Sequence, residues 1–231
     1  MALHDEVEAR VREILREQWS RRDGRVVPQA EDLTLGNDGV DLDATVLYAD
    51  LADSTMLVDN YSAIFAAAVY RCFLDASARV IRAESGEITA YDGDRIMAVF
   101  VGDSKNTSAV RTALKINYVA REIIRPAIKQ QYPNVTYVLN HVVGIDTSKL
   151  LVARTGVRGA NDLVWVGCAA NHAAKMAALP HEFPSYITAE VFNNMNDEAK
   201  YGGSDKRLMW EQRNWTAMNR TVYASTWHWK I

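Results

Sequence analysis

The chain has 231 residues, of which 48% are hydrophobic, and its formal net charge is −3. This length suffices for a domain with a full core, and the slightly acidic balance gives no basic field that would attract nucleic acid. The two cysteines, Cys72 and Cys168, lie far apart and favour a reducing cytoplasm. No apolar run reaches the ~20 residues that a membrane span needs, so the sequence predicts no membrane-spanning helix.

Hydrophobic spacing predicts the first elements. Apolar residues recur at helical spacing over residues 5–22 and predict a helix, which a polar linker follows over 25–42. Such an apolar stripe either packs on its own domain or faces a partner subunit. A run rich in β-branched and aromatic residues over 44–51 predicts a buried central strand.

The rest of the chain alternates between helices and strands. The pattern predicts, in order, a helix over 61–85, a hairpin over 86–100, a helix over 106–131 broken near Pro126, strands over 136–145, 150–153 and 162–166, a helix over 168–179 and late strands within 187–231. This order predicts an α+β fold, a sandwich with helices over a mostly antiparallel sheet. We expect residues 1–41 to form an N-terminal helix and linker, and residues 42–231 to form the main domain with its C-terminal strands.

The exit of the central strand is the first candidate site. The apolar run ends at Asp50, and Leu51, Ala52, Asp53 and Ser54 follow before a predicted helix. A strand end, an acidic turn and a helix start together favour a bound metal–phosphate ligand. Asp53 is predicted to be the N-cap of that helix.

The predicted hairpin supplies a second acid. Asp92-Gly93 is a pair favoured in tight turns, and it predicts that Asp94 lies just past the turn. If the hairpin lies beside the central strand, Asp50 and Asp94 converge on one site; otherwise both are ordinary turn acids. Two hard carboxylates with no nearby His or Cys favour Mg²⁺ or Mn²⁺ over zinc.

Three motifs, in order, resemble those of the class III nucleotide cyclases. Tyr48-Ala49-Asp50-Leu51, followed by Thr55, resembles the first metal motif, and Gly93-Asp94 with the strand after it resembles the second. The separation of the two acids, 94 − 50 = 44 positions, matches the family's spacing. Residues 167–176, Gly-Cys-Ala-Ala-Asn-His-Ala-Ala-Lys-Met, resemble the third, Gly-Asn-x-Val-Asn-x-Ala-x-Arg. The resemblance covers roughly residues 42–190 and depends on the three motifs together.

The resemblance implies a cyclase fold, a reaction and a set of roles. Asp50, Asp94 and the backbone carbonyl of Leu51 would hold two divalent cations, Mn²⁺ or Mg²⁺. Asn171 would orient the ribose, and Lys175 would stabilise the charge that builds on the α-phosphate. The i, i+4 spacing of these last two residues puts their side chains on one helix face. The family also implies a homodimer whose two active sites are shared between subunits.

Departures from the family pattern concern the nucleotide base. Purine cyclases carry a Lys four residues before the second metal Asp, and an Asp or Thr three residues before the third-motif glycine. This chain has Ala90 and Val164 at those positions. Lys175 also replaces an Arg, which keeps the charge but loses the bidentate fork. The pattern resembles the pyrimidine cyclases of bacterial Pycsar anti-phage systems, which implies a cytoplasmic enzyme whose product gates a separate effector in phage defence.

Residues around the two altered positions would then read the base. Tyr91 or Trp165 could stack on the ring, and Arg95 could donate to a pyrimidine carbonyl. A pocket rich in donors favours uracil, which has two carbonyl acceptors, over cytosine, which has one. We therefore expect a pyrimidine nucleoside triphosphate, UTP, as substrate and cyclic UMP as product, with cyclic CMP next.

The sequence leaves open three other interpretations: a purine cyclase with unusual base contacts, a nucleotide-sensing cyclase fold without turnover, and a polymerase-like palm domain. Apolar side chains at Ala90 and Val164 favour the sensing module, whereas the intact acid pair argues against it. A palm domain should carry a basic surface for its template, which the net charge does not indicate.

Two histidines lie inside predicted elements. His141 alternates within an apolar strand and is predicted to be a structural residue whose hydrogen bonds are satisfied. His172 lies inside the third motif, and no role follows from its position.

Overall fold

Helices and strands alternate along residues 2–231, which the computed structural model describes. The helices are α1 (Leu3–Arg16), α2 (Ser54–Asn60), α3 (Ala63–Ala83), α4 (Lys105–Tyr118), α5 (Arg125–Gln131), α6 (Cys168–Ala177), α7 (Ala189–Asn194) and α8 (Asp197–Lys200). The strands are β1 (Ser20–Gly24), β2 (Asp38–Leu51), β3 (Glu87–Asp92), β4 (Arg95–Phe100), β5 (His141–Val157), β6 (Ala160–Val166), β7 (Ser185–Thr188), β8 (Tyr201–Gly202), β9 (Arg207–Leu208), β10 (Glu211–Trp215) and β11 (Arg220–Ser225).

The contacts of the chain divide it into two units. The first contains the described residues up to Asp43 together with Lys149–Gly167, and the second contains Ala44–Ser148 and Cys168–Ile231. The first boundary falls two residues after the one predicted at residue 41. The sequence pattern did not indicate that residues 149–167 group with the N-terminal segment.

Strands of the second unit form a mostly antiparallel sheet. Their order is β10-β11-β7-β5-β2-β4-β3. The pairs β10–β11, β11–β7, β2–β4 and β3–β4 are antiparallel, whereas β5–β7 is parallel. The predicted α+β class, a mostly antiparallel sheet covered by helices, is confirmed.

One face of this sheet carries the main core. On β2, Leu47, Ala49 and Leu51 are at most 4% exposed, and they pack in one cluster with Phe73 of α3 and Leu114 of α4. Fully burying a large apolar side chain contributes ~1.5–3 kcal/mol, so this face strongly fixes the register of β2. The residues between these apolar positions must therefore point to the opposite face.

The opposite face carries helix α6. Met176 of this helix packs with Val142 of β5 and Trp215 of β10 in a second, smaller cluster. At Gly144 of β5, an added Cβ would lie 2.2 Å from the carbonyl oxygen of Ala173. Only glycine therefore allows the backbone of α6 to approach β5 this closely.

In the first unit, the short strands β1 and β6 pair with parts of the long strands β2 and β5. Strand β1 pairs in parallel with the first part of β2, from Ser20 opposite Asp38 onward. Strand β6 pairs antiparallel with the last part of β5. The Asn37 side chain donates to the carbonyl oxygens of Ile14 (2.9 Å) and Glu17 (2.8 Å), which ties down the end of α1.

Several predicted boundaries are wrong. Helix α1 ends at Arg16 rather than near residue 22, because residues 20–24 pair with β2. The helix predicted over 61–85 begins at Ala63, after an N-cap at Ser62 that accepts from the Phe65 N–H (3.3 Å). The helix predicted over 106–131 is interrupted by a π-helical stretch, Val119–Ile124. No helix within residues 2–231 is long and apolar enough to cross a membrane.

Candidate active site

The end of β2 turns two polar side chains away from the main core. Because side chains alternate along a strand, the burial of Leu47, Ala49 and Leu51 on one face directs Tyr48 and Asp50 to the other. Both polar side chains are half-buried there. The strand thus presents a carboxylate one residue before its end.

The β3–β4 hairpin brings the second acid to the same place. Asp50 lies opposite Arg95 in the β2–β4 ladder, and Arg95 lies opposite Asp92 in the β3–β4 ladder. Gly93 and Asp94 form the turn between these strands, so Asp94 lies within the turn rather than just past it. Gly93 has φ +62°, a backbone conformation that favours glycine. The tight turn therefore holds Asp94 close to the last residues of β2.

The two carboxyl groups interact electrostatically. Burial, and next the nearby charge of Asp94, raises the pKa of Asp50 from 3.8 to about 7. Arg95 and the backbone N–H of Leu51 act in the opposite direction and are weaker. One oxygen of Asp94, Oδ2, is buried and has no hydrogen-bond partner. Neighbouring carboxylates whose negative charge is only partly compensated fit a divalent cation, which would supply the missing positive charge.

Side-chain carboxylates would supply only part of such a cation's shell. Within residues 2–231, no group of three or more His, Cys, Asp and Glu side chains is arranged to hold a metal ion. A cation at Asp50 and Asp94 would take its remaining oxygens from backbone carbonyls, water or substrate. Mg²⁺ sites with one or two carboxylates commonly complete their shell with substrate phosphates.

Arg95 is bound to its own hairpin. Its guanidinium hydrogen-bonds to Asp92, and this bond is the main reason that the pKa of Arg95 is raised; the nearby charge of Asp50 acts in the same direction. The Arg95 side chain is 35% exposed. It thus lies beside the acids, and its predicted contact with the base stays a prediction.

Two predicted base contacts on β3 separate onto opposite faces. Ala90 shares a cross-strand row with Tyr48, so it lies on the face of Asp50. Tyr91 lies opposite Ile96 and is 57% exposed beside α3. The structure therefore brings Ala90 to the face of the acids and does not bring Tyr91 there, because neighbouring residues of a strand point opposite ways.

The other two predicted base contacts lie in the first unit. Val164 and Trp165 of β6 pair with Ala153 and Val152 of β5, and both are half-buried. They belong to a different unit from the two acids. Their role in reading the base stays a prediction.

Helix α6 presents the predicted Asn–Lys pair to solvent. Asn171 and Lys175 are exposed and one turn apart, so they share a face. Lys175 Nζ lies 3.7 Å from Met218 Sδ, a weak acceptor. In the sheet order, β5 and β7, which α6 contacts, lie on one side of β2, and the β3–β4 hairpin lies on the other. The pair and the hairpin acid therefore belong to opposite halves of the sheet.

The prediction that Asp53 is the N-cap residue of α2 is confirmed, but the side-chain bond expected of a cap is absent. Asp53 occupies the N-cap position, but its side chain accepts no capping hydrogen bond, and its φ is +57°. A side-chain cap normally needs extended backbone at that residue. The Asp53 carboxylate instead pairs with His181, with Oδ2 and Nε2 3.1 Å apart.

Two histidines are buried, and one of them, His141, differs from the sequence-based expectation. His141 is 2% exposed, yet neither ring nitrogen has a hydrogen-bond partner, so its predicted satisfied bonds are absent. His172 is also buried, and its Nδ1 lies 2.8 Å from Oδ2 of Asp146. Sequence reasoning missed this pair because its members are 26 residues apart and lie on different elements.

Comparison with known proteins gives close relatives and a shared fold. No protein-family model matches the chain. A uridylate cyclase of Xanthomonas perforans is 47% identical over 233 residues, and one of Burkholderia cepacia is 49% identical over 234 residues; each match covers 100% of both chains. The adenylyl cyclase CyaB from P. aeruginosa has a TM-score of 0.67 at 17% identity, over 81% of this chain and 95% of that one. The class III cyclase-like fold that the motifs predicted is confirmed.

Proposed function

Because the chain belongs to the uridylate cyclase family, we propose that it converts UTP to 3′,5′-cyclic UMP and pyrophosphate. The observation that carries the proposal is the full-length identity of 47–49% to two uridylate cyclases. In this reaction the ribose 3′-oxygen attacks the α-phosphorus, and the bond from that phosphorus to the pyrophosphate oxygen breaks. Phosphoryl transfer needs positioning and charge neutralisation more than covalent chemistry by the protein, and paired carboxylates at the end of β2 and in the adjacent hairpin turn fit that need.

Asp50 and Asp94 are the proposed holders of two divalent cations, Mn²⁺ or Mg²⁺, together with the backbone carbonyl oxygen of Leu51. The support is the raised pKa of the Asp50 carboxyl and the unpartnered, buried Oδ2 of Asp94. Bound cations of this kind lower the pKa of an attacking hydroxyl and neutralise phosphate charge. The two acids themselves fix where that positive charge lies on the sheet.

The exposed pair on α6 has the proposed role of contacting the substrate. Asn171 offers an amide that orients the ribose. Lys175 brings an ammonium group to the α-phosphate oxygens, where negative charge accumulates in the transition state. Its weak contact with the Met218 sulfur (3.7 Å) is readily exchanged for a phosphate oxygen.

We also propose a homodimer with shared sites, which the positions of the two sets of residues support. The hairpin acid and the α6 pair are carried by opposite halves of the sheet, so a second copy supplies the missing half of each site. A chain with Asp50→Ala and a chain with Lys175→Ala should each be inactive alone. Mixed dimers of the two, purified through different tags on each chain, should regain activity at one site. Mixed dimers as inactive as their parents would contradict shared sites.

The reaction itself is tested by the product. Purified protein is incubated with UTP and Mn²⁺, and the nucleotide product is identified by mass, with Asp94→Asn as the control. We expect cyclic UMP and free pyrophosphate from the wild type, and a loss of at least about 100-fold in the control. Linear UMP or UDP as the main product would show hydrolysis instead of cyclisation, and no product would favour a nucleotide-sensing module.

We further propose that the product acts as a signal in the cytoplasm during phage defence, through a separate effector gated by the cyclic nucleotide. The support is that the departures from the purine-cyclase pattern, Ala90 and Val164 among them, resemble the Pycsar pyrimidine cyclases. Cyclic UMP should rise after phage infection in cells that carry the wild-type chain and stay flat in cells that carry Asp94→Asn. An equal level before and after infection would contradict this role.

A further inference from the structure

One buried ionisable side chain lies in helix α6, all of whose residues the structure describes. His172 is 6% exposed, whereas its neighbour Asn171, and Lys175 one turn on, are exposed. The other buried residues of this helix are apolar: Ala169, Ala170, Ala173, Met176 and Ala177. A polar ring among them costs free energy unless it is hydrogen-bonded.

Asp146 of β5 supplies that hydrogen bond. Its Oδ2 accepts from His172 Nδ1 at 2.8 Å, and the two side chains are 4% and 7% exposed, respectively. Its other oxygen, Oδ1, accepts from the Thr188 hydroxyl at 2.6 Å and from the Thr147 backbone N–H at 2.8 Å. A carboxylate with three donors has a fixed orientation, and it therefore fixes the imidazole ring.

Besides the His172 bond, α6 makes packing contacts and one hydrogen bond near its start, from the Ala169 backbone N–H to Ser148 Oγ (3.1 Å). The close approach at Gly144 brings the helix backbone onto β5, and the alanines of the buried face make small, non-directional contacts. Trp215 meets the His172 ring edge-on, with centroids 5.9 Å apart and planes at 80°. Among the buried side chains of α6, His172 is the one that makes a directional contact, its hydrogen bond to Asp146. Because successive helical residues are about 100° apart, fixing one residue fixes where its neighbours point.

We propose that the His172–Asp146 hydrogen bond holds α6 at the rotation in which its exposed Asn–Lys pair meets the substrate. His172 and Asp146 are thus positioning residues, and neither touches the nucleotide. The inference rests on the proposed cyclase function of the pair on α6. It goes beyond that function by naming what holds the pair in place.

Kinetics of two His172 variants provide the first test. His172→Leu keeps a similar volume but removes the donor, whereas His172→Asn keeps an N–H donor near the position of Nδ1. We expect kcat for UTP to fall at least about 30-fold in the Leu variant, with KM changed less than about three-fold, since orientation acts mainly on the chemical step. The Asn variant should return to within about five-fold of the wild-type kcat.

A buried ion pair elsewhere in the second unit provides the matched control. Lys115 of α4 pairs with the Glu84 carboxylate, which is 4% exposed, and neither residue belongs to the site. Lys115→Met should lower the Tm, as His172→Leu does, but leave kcat unchanged. Equal kcat in the Leu and Asn variants, or a kcat that follows Tm in all three proteins, would overturn the positioning role.

Mixed dimers separate a misplaced helix from a damaged chain. A His172→Leu chain still carries intact acids, so with an Asp50→Ala chain it should regain activity. With a Lys175→Ala chain it should not. If Lys175→Ala complements Asp50→Ala but His172→Leu does not, the damage is global and the inference is overturned. If Lys175→Ala and Asp50→Ala do not complement each other, the shared-site proposal fails instead. The kcat difference between His172→Leu and His172→Asn then still decides the role of His172.

Discussion

Asp50 lies where its charged form is disfavoured unless positive charge is supplied. Its folded-state pKa of about 7 lies above its ordinary 3.8, so between these values the folded protein binds more protons than the unfolded chain. The stability that this carboxyl contributes is therefore present below pH 3.8 and lost as pH rises through 7. Without added metal, Asp50→Asn should have a Tm at least equal to the wild type near about pH 8. A clearly lower Tm for this variant would contradict the account.

Divalent cations should make the wild type at least as stable as Asp50→Asn. At about pH 8, Mn²⁺ should raise the wild-type Tm by a few °C, which corresponds to ~1 kcal/mol for a chain of this size, and leave Asp50→Asn unchanged. At about pH 6 the rise should be smaller, because protons compete for the carboxylate. Thermal scans of both proteins at both pH values measure this. An undiminished Mn²⁺ response in the variant would place the cation elsewhere.

His141 should make the protein acid-sensitive. Burial, and next the charge of Arg125, lowers the pKa of its ring from 6.5 to about 3. The unfolded chain binds the proton first, so stability is present above pH 6.5 and is lost as pH falls toward 3. The contribution of His141 should fall by about 2 kcal/mol between pH 6.5 and about pH 5, against the opposite contribution of Asp50 in the same range.

His141→Leu should remove this acid-dependent loss. Neither ring nitrogen has a hydrogen-bond partner, and the ring packs on Phe73, with centroids 5.6 Å apart, so an apolar side chain suits the site. Denaturant unfolding of both proteins over this pH range is the measurement. Parallel pH profiles of the two proteins would show that another group causes the loss.

At the scale of elements, the sequence predicts what depends on short-range pattern. The β3–β4 hairpin follows from Asp92-Gly93 between two apolar runs, and the exit of β2 follows from its apolar run. The alternation of β3 also determines that Ala90 and Tyr91 face opposite sides, which disfavours the predicted stacking role of Tyr91. The helical pattern predicts a helix that extends too far, to residue 22, because residues 20–24 instead pair as a strand with β2.

Helix α6 depends on contacts that no local pattern contains. Gly144→Ala should push the helix away from β5, because the added Cβ would lie 2.2 Å from the Ala173 carbonyl oxygen. We expect kcat to fall by about 10-fold or more, while the Mn²⁺-dependent rise in Tm is kept, since the acids lie on other elements. Gly36→Ala, where the nearest atom to the added Cβ would be 3.8 Å away, is the control and should keep full activity. Wild-type kcat in the Gly144 variant would contradict this role of α6.

At the scale of the whole molecule, the three motifs predict the fold family and the reaction, but not how the chain is divided. Grouping residues 149–167 with the N-terminal segment depends on strand pairings far apart in sequence, which periodicity does not encode. The same is true of the Asp146–His172 contact. The two acids can be predicted from the sequence because strand ends and tight turns have local signatures. The base role of Val164, by contrast, depends on a family pattern, and that of Trp165 on its place beside Val164.

Base preference tests the central claim most directly. Ala90 lies on the face of Asp50 and offers no polar group to a purine edge. Wild-type protein is given equal concentrations of UTP, CTP, ATP and GTP with Mn²⁺ in one reaction, and the cyclic products are separated by mass. We predict that cyclic UMP is the main product, cyclic CMP the next, and that Asp94→Asn makes none of them. Cyclic AMP or cyclic GMP as the main product would contradict the assignment of this chain as a UTP cyclase.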